Sequence, residues 1–374
     1  MSTSTDTQPS WGTDYVRTIA PYVGGRPISE VAREYGLAPD SIVKLASNEN
    51  PLGMSPLARQ AVLDALTEAP RYPDNDAWEL RQALASHLGV AADWVLLGHG
   101  SSDILEMAAR ALLAEGDSCV YSQYGFLVYA LAVQQAGARH IVVPARDYGH
   151  DLDAMLAAIE PDTRLVYVAN PNNPTGTLLA PAQVADFVAR VPRDVVVLLD
   201  EAYVEYLEPE QRTDSIALLR EHPNLIVSRT FSKAYGLAGL RIGYAAAQPA
   251  LAGLLNRVRS AFNTSGVAQA AALAALRDTA FLQRTVELNR AGMRQLEAGF
   301  AALGLQYVPS HGNFVLLRVG DDAQAGARVA AALLQRGVIA RPVANYGLGP
   351  WLRISVGTEG ENARCIDALR AALA

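Results

Sequence analysis

Between about residues 75 and 275, short apolar runs of strand length alternate with stretches of helical periodicity, an order that few folds accommodate. Seven runs stand out, at 94–97, 118–121, 140–143, 165–169, 195–199, 225–227 and 242–245. The two longest are apolar throughout, Leu165-Val166-Tyr167-Val168-Ala169 and Val195-Val196-Val197-Leu198-Leu199. A strand with one wet face alternates apolar and polar residues, so an uninterrupted apolar strand is covered on both faces. The helical segments between the strands supply the covers. The expected architecture is α/β, with a large domain built on a mainly parallel seven-stranded sheet flanked by helices. From about residue 280 the pattern changes to long amphipathic helices around short strands at 314–317 and 352–356, which predicts a smaller α/β domain. The large domain is expected at 46–275 and the small one at 276–374.

Composition narrows the functional classes. The chain has 374 residues, half of them apolar, enough for two buried cores. Its formal charge of −7 argues against a general nucleic-acid surface, because non-specific affinity for phosphate backbones needs an excess of lysine and arginine. The six histidines are scattered without the i, i+4 pairing of a helical zinc site, so no metal is expected. Cys119 and Cys365 are isolated and read as buried thiols. The first ten residues lack the basic and apolar regions of a secretion signal, and no apolar run approaches the roughly 20 residues of a membrane span. The expected setting is the reducing cytoplasm.

Open α/β sheets bind ligands beyond the carboxyl ends of their strands, and several of those ends carry polar groups here. The run at 225–227 leads into Ser228-Arg229-Thr230-Phe231-Ser232-Lys233, with Arg241 shortly after. A lysine that is desolvated or crowded by positive charge becomes a free amine able to condense with a carbonyl. Thr230, Ser232 and Arg241 offer two hydroxyls and a guanidinium that suit a phosphate group. A carbonyl compound carrying a phosphate points to pyridoxal 5'-phosphate. Taken alone, a Ser-Lys pair is commonplace, and most lysines are solvated. Upstream, Asp200 follows the run at 195–199 and can pair with a protonated ring nitrogen, while Asn170-Pro171-Asn172-Asn173-Pro174-Thr175-Gly176 forms a turn after 165–169. Gly98-His99-Gly100-Ser101-Ser102 follows the first run and opens a helix; it is either an ordinary turn or an anion cradle formed by Gly100, Ser101 and Ser102.

Together these segments resemble the fold type I pyridoxal-phosphate aminotransferases, and within them the histidinol-phosphate aminotransferase family. The resemblance runs almost end to end. It includes Ala20-Pro21-Tyr22, Lys44-Leu45-Ala46-Ser47-Asn48-Glu49-Asn50-Pro51-Leu52-Gly53, Arg71-Tyr72-Pro73-Asp74, the Asn-Pro-Thr-Gly loop, Asp200-Glu201-Ala202-Tyr203, the lysine segment, Arg341-Pro342-Val343-Ala344-Asn345-Tyr346-Gly347 and the strand around Arg353. It implies that residues 1–45 pack with the small domain. Lys233, Asp200 and Tyr203 would be catalytic. Asn173 and Tyr203 would bind the phenolic oxygen of the cofactor, and Tyr124 would cover its ring unless Phe126 or Tyr129 does so. The active unit would be a homodimer in which Tyr72 reaches the neighbouring subunit's cofactor phosphate and Tyr22 the substrate. Asn50, Arg341 and Arg353 would complete the substrate site. His99 departs from the Asn common in the family, so no role is assigned to its side chain. The implied reaction exchanges amino groups between L-histidinol phosphate and 2-oxoglutarate. An aromatic amino-acid aminotransferase, or a non-catalytic domain that senses the cofactor, is the alternative reading of the same motifs.

Overall fold

The computed structural model describes residues 11–21 and 24–374. Thirteen strands occur among them: β1 (Val43–Lys44), β2 (Val95–Gly98), β3 (Ser118–Ser122), β4 (Arg139–Val143), β5 (Thr163–Ala169), β6 (Val196–Asp200), β7 (Leu225–Thr230), β8 (Gly243–Ala247), β9 (Tyr307–Val308), β10 (Phe314–Arg318), β11 (Val338–Ile339), β12 (Arg341–Val343) and β13 (Leu348–Ser355). The seven runs read from the sequence form a single seven-stranded sheet in the order β2-β8-β7-β6-β5-β3-β4. The fold is α/β, with helices on both faces of this sheet.

Alternation along each strand divides the sheet's two cores. Leu97, Val166, Val168, Val197, Leu199 and Val227 face one helical layer, while Leu96, Cys119, Leu165, Tyr167, Leu198 and Ile226 face the other. Successive side chains of a strand point to opposite faces, so an unbroken apolar run feeds both layers. Burying each large aliphatic side chain contributes about 1.5–3 kcal/mol, which fixes the register of the central strands.

β3 to β7 are mutually parallel, but β8 runs antiparallel to both β7 and β2. A parallel return needs a crossover of a dozen or more residues, usually through a helix. Between β7 and β8 the chain holds only a loop with the short turn Ala238–Leu240, so it comes straight back. That loop carries Lys233.

A second sheet has the order β12-β13-β10-β9, entirely antiparallel, and packs against helices Thr279–Ala302, Ala325–Leu334 and Glu359–Leu373. β1 pairs in parallel with β11 through Val43↔Val338, so a segment near the N-terminus joins this part of the chain. Among the described residues no helix is long and apolar enough to cross a membrane.

Candidate active site

A cavity of about 240 Å³ opens where the carboxyl ends of β5, β6 and β7 face the four-stranded sheet. Asp200, Asn173, Tyr203, Thr230, Ser232, Lys233, Arg241, Ser101, Ser102, Arg341 and Arg353 all line it. Segments more than 250 residues apart in sequence therefore converge on one space.

Asp200 is the last residue of β6 and is buried. Its Oδ2 accepts a 2.8 Å hydrogen bond from the Tyr129 hydroxyl, while its buried Oδ1 has no hydrogen-bond partner among the described residues. Burial pushes its pKa up to about 6, against the opposing pull of Tyr129 and of the nearby Ala202 amide dipole. A buried carboxylate oxygen without a donor is costly, and a protonated heterocyclic nitrogen would satisfy it.

Lys233 is the amine of the site. Its Nζ donates to the Ser47 carbonyl at 3.1 Å and lies 5.9 Å from the centroid of the Tyr203 ring. Desolvation first, and then Arg353 and Arg241, bring its pKa down to about 7, with Glu49 and Asp200 pulling the other way. An amine so placed is substantially unprotonated near neutrality and able to attack a carbonyl or carry a proton.

At the other end, Gly100 adopts φ 80° as the cap of the helix Ser101–Leu112, placing Ser101 and Ser102 in its first turn at the cavity. A Cβ on Gly100 would overlap the Arg241 guanidinium, so the close approach requires glycine. Arg241 itself has φ 54° and donates to the Ala238 carbonyl at 3.0 Å and, more weakly, to the Ser232 hydroxyl at 3.4 Å. The Thr230 hydroxyl accepts from the Ser232 amide at 3.1 Å, which leaves its own proton to donate. A helix N-terminus, the four hydroxyls of Ser101, Ser102, Thr230 and Ser232, and a guanidinium together suit a phosphate dianion. His99 contributes backbone only: its amide donates to Asp103, its carbonyl faces Arg241, and its side chain is exposed.

The four-stranded sheet supplies the opposite wall. Arg341 and Arg353 are directly opposed in the β12–β13 register and both line the cavity. Arg353 is buried; its guanidinium donates to Asn173 Oδ1 at 2.6 Å and to the Ala46 carbonyl at 2.8 Å, and lies 5.5 Å from the Phe314 ring. By taking the oxygen of Asn173, Arg353 leaves that amide's NH₂ to donate. The Tyr203 hydroxyl accepts from Asn48 Nδ2 at 2.9 Å and likewise keeps its proton for a ligand, since burial pushes its pKa up to about 12.

Three expected positions fall elsewhere, and a fourth lies outside the described residues. Tyr124 does not line the cavity; it packs with Tyr148 and Trp351 against the four-stranded sheet, and from this segment Phe126 is the aromatic residue at the cavity wall. The helix Leu127–Gln135 begins just after Phe126, and that turn carries the second ring rather than the first to the site. Asn50 also lies outside the lining. Its Nδ2 donates to the Ala234 carbonyl at 2.9 Å and Thr285 at 3.0 Å, and its Oδ1 accepts from Leu52, so its polar atoms are committed to holding the chain beside Lys233. Tyr72 is 82 % exposed and stacks on Phe262 with ring centroids 4.6 Å apart, away from this chain's own cavity. Tyr22 lies outside the described residues.

Sequence reasoning missed Asn48 and Glu49. Asn48 is buried at φ 55°, exchanges hydrogen bonds with Ser355 and donates to the Tyr203 hydroxyl. Two asparagines flank Glu49 in one polar tetrapeptide, and only the left-handed turn at Asn48 decides which faces inward.

Comparison with known proteins decides the family. Residues 40–369 match the model of aminotransferase class I and II. The chain belongs to that family. Histidinol-phosphate aminotransferase 2 of Ralstonia nicotianae is 65 % identical over 364 residues, covering 97 % of each chain. Histidinol-phosphate aminotransferase 1 of Cupriavidus pinatubonensis is 63 % identical, covering 97 % of this chain and 96 % of the relative. Among solved structures, the histidinol-phosphate aminotransferase of Sinorhizobium meliloti in complex with pyridoxal-5'-phosphate superposes with a TM-score of 0.90 at 31 % identity, over 98 % of both chains. This aminotransferase thus sits among relatives named for one phosphorylated amino donor.

Proposed function

We propose that the protein transfers the amino group of L-histidinol phosphate to 2-oxoglutarate, yielding imidazole acetol phosphate and L-glutamate for histidine biosynthesis, with pyridoxal 5'-phosphate as cofactor. The observation that carries this reading is the pair of guanidiniums, Arg341 and Arg353, side by side on the wall that faces Lys233. Histidinol phosphate has no carboxylate on the carbon bearing its amine, whereas glutamate does, so one site must accept either anion. Arginine's planar fork binds carboxylate and phosphate alike.

The residues present fit the cofactor. Ser101, Ser102, Thr230, Ser232 and Arg241 would hold its phosphate, the orphaned Oδ1 of Asp200 its ring nitrogen, and Asn173 Nδ2 and the Tyr203 hydroxyl its phenolic oxygen. Phe126 would cover a ring face. When bound, the cofactor supplies an electron sink that acidifies the substrate carbon carrying the amine. Lys233 Nζ, with a free-amine form well populated near pH 7, takes the proton from that carbon in one half-reaction and returns one in the other. Arg353 orients the incoming anion and at the same time fixes the Asn173 amide.

A homodimer completes the reading. Leu57, Leu63, Leu66, Tyr72 and Trp78, each more than half exposed, crowd the helix Pro56–Ala65 and the segment after it, a concentration of apolar surface that a second copy would cover. Tyr72 would then reach the neighbour's phosphate site. The setting this reading implies is the cytoplasm, where the buried thiols Cys119 and Cys365 stay reduced.

The test is a donor panel of histidinol phosphate, phenylalanine and tyrosine, with 2-oxoglutarate as acceptor and glutamate release as readout. Histidinol phosphate should lead in kcat/KM, and Arg341→Ala should hurt it more than it hurts phenylalanine. A preference for phenylalanine, with histidinol phosphate untouched by Arg341→Ala, would hand the site to the aromatic amino-acid reading. Mixed dimers of Tyr72→Ala and Lys233→Ala chains should recover activity that neither parent shows, since one site of each hybrid would be intact.

A further inference from the structure

Beneath Asp200 lies an aromatic ladder with no part yet assigned. Tyr129, fully buried in the helix Leu127–Gln135, donates its hydroxyl to Asp200 Oδ2 at 2.8 Å. Its ring stacks on that of Tyr167 in β5, with centroids 4.5 Å apart and planes 3° from parallel, and meets the cavity-lining Phe126 edge-on at 6.0 Å. The Tyr167 hydroxyl in turn donates to the Leu105 carbonyl at 2.7 Å, inside the helix whose first turn presents Ser101 and Ser102. The carboxylate and the anion-binding helix are thus tied together by two stacked rings, each anchored by its hydroxyl.

We infer that Tyr129 is a positioning residue for Asp200: by occupying Oδ2 it turns Oδ1 alone toward the cavity and keeps the buried carboxyl ionised at the pH where the enzyme works. Resting on the transaminase reading for its purpose, the inference stands on geometry of its own. Without the hydroxyl, Asp200 would have two buried oxygens, no donor among the described side chains and only the nearby Ala202 amide to favour its charge, so the balance would move toward the neutral acid. The groups that face Asp200 are few. Glu201 beside it is committed to Arg229 at 2.9 Å, Tyr203 follows in the next turn, Lys233 approaches from the loop after β7, and Tyr167 stands behind Tyr129. His150, hydrogen-bonded at Ala169 next to Asp200 in the sheet, is held neutral by burial, with its pKa down at about 4. Burial pushes the Tyr129 phenol well above its usual range, so it remains a donor at every working pH.

The experiment follows the Asp200 carboxyl by carbon NMR in the cofactor-free protein, with aspartate labelled and the signal assigned by its loss in Asp200→Asn. Tyr129→Phe should move the midpoint upward by at least about one pH unit, the size expected when a hydrogen bond to the ionised form is lost. Tyr167→Phe, which keeps the Tyr129 hydroxyl, should leave the midpoint within a few tenths of wild type. In the loaded enzyme the acid limb of kcat/KM should follow the same shift. Should Tyr129→Phe fold poorly, 3-fluorotyrosine at position 129 retains the shape with a stronger donor and should lower the midpoint. An unmoved midpoint in the folded Phe variant or in the fluorinated protein overturns the inference. Failure of the transaminase reading would show instead as absent turnover in wild type, with the NMR shift intact.

Discussion

The seven-stranded sheet brings Asp200, Thr230 and, one loop later, Lys233 to the cavity from parallel strands whose apolar runs bury both faces, whereas the four-stranded sheet brings Arg341 and Arg353 from adjacent antiparallel strands. The first delivers its groups at strand ends, where the chain leaves the core, although burial there still penalises the charges of Asp200 and Lys233. The second sets two like charges directly opposite each other, across the edge strand β12 and its neighbour β13, an arrangement that cross-strand pairing disfavours. Arg353 is tolerated there because Asn173, the Ala46 carbonyl and the Phe314 ring surround its guanidinium. The difference teaches that both walls hold their polar groups at a cost to the cofactor-free protein, the large sheet through buried Asp200 and Lys233 where its strands stop, the small sheet through two like charges on neighbouring strands.

Removing the one amine tests the large sheet's side most severely. Lys233→Ala should lower turnover by about 10⁴-fold or more while the fold persists, because both proton transfers lose their carrier. Activity near wild type, measured as glutamate release, would dissolve the distinction between the two walls.

Asp200→Asn comes next and reads function and stability in opposite directions. Turnover should fall roughly 10²–10³-fold. The folded pKa of about 6 lies above the ordinary carboxylate value, so the wild-type cofactor-free protein gains stability below that ordinary value and loses it as pH rises through 6. The Asn variant avoids that loss and should be more stable than wild type at pH 8 by about 1–3 kcal/mol, with little gain at pH 4. Urea denaturation at the two pH values measures the gap; a gap that does not widen with pH would mean the carboxyl is not strained by burial.

On the arginine side the expected effect is smaller but shared by both half-reactions. Arg353→Lys keeps the charge and loses the fork, which should weaken kcat/KM for histidinol phosphate and for glutamate by about 1–3 kcal/mol each. Loss confined to one donor would show that the two anions are held by different walls.

The mildest test concerns protonation alone. With a folded pKa of about 7 against an ordinary lysine value near 10.4, Lys233 costs the cofactor-free protein stability as pH falls from 10 to 7, and its acylation rate should rise with a midpoint near pH 7. Glu49→Gln removes a carboxylate that holds the amine up and should move that midpoint down, as read by mass spectrometry of the modified peptide. A midpoint near 10 would mean that the two arginines and burial do not reach Lys233.

Much of this site was legible in residue types and their order. Apolar runs without alternation demanded a sheet covered on both faces, and the polar residues at their ends, Asp200, Asn173, Thr230, Ser232 and Lys233, had to gather where the strands stop. Local chemistry is enough for that, because burial of a strand is decided within a few residues of sequence. The direction of β8 was not legible, since it turns on the absence of a crossover helix in the loop after Thr230. Phe126 rather than Tyr124 at the wall depends on where a helix begins, and Asn48 rather than Asn50 on a single left-handed residue. Nor does any local pattern reveal that the Tyr129 hydroxyl meets Asp200, or that Arg353 grips Asn173. Those contacts join residues 71 and 180 positions apart, and only the closure of the sheets, which buries such groups and forces each to find a partner, determines which partner it finds.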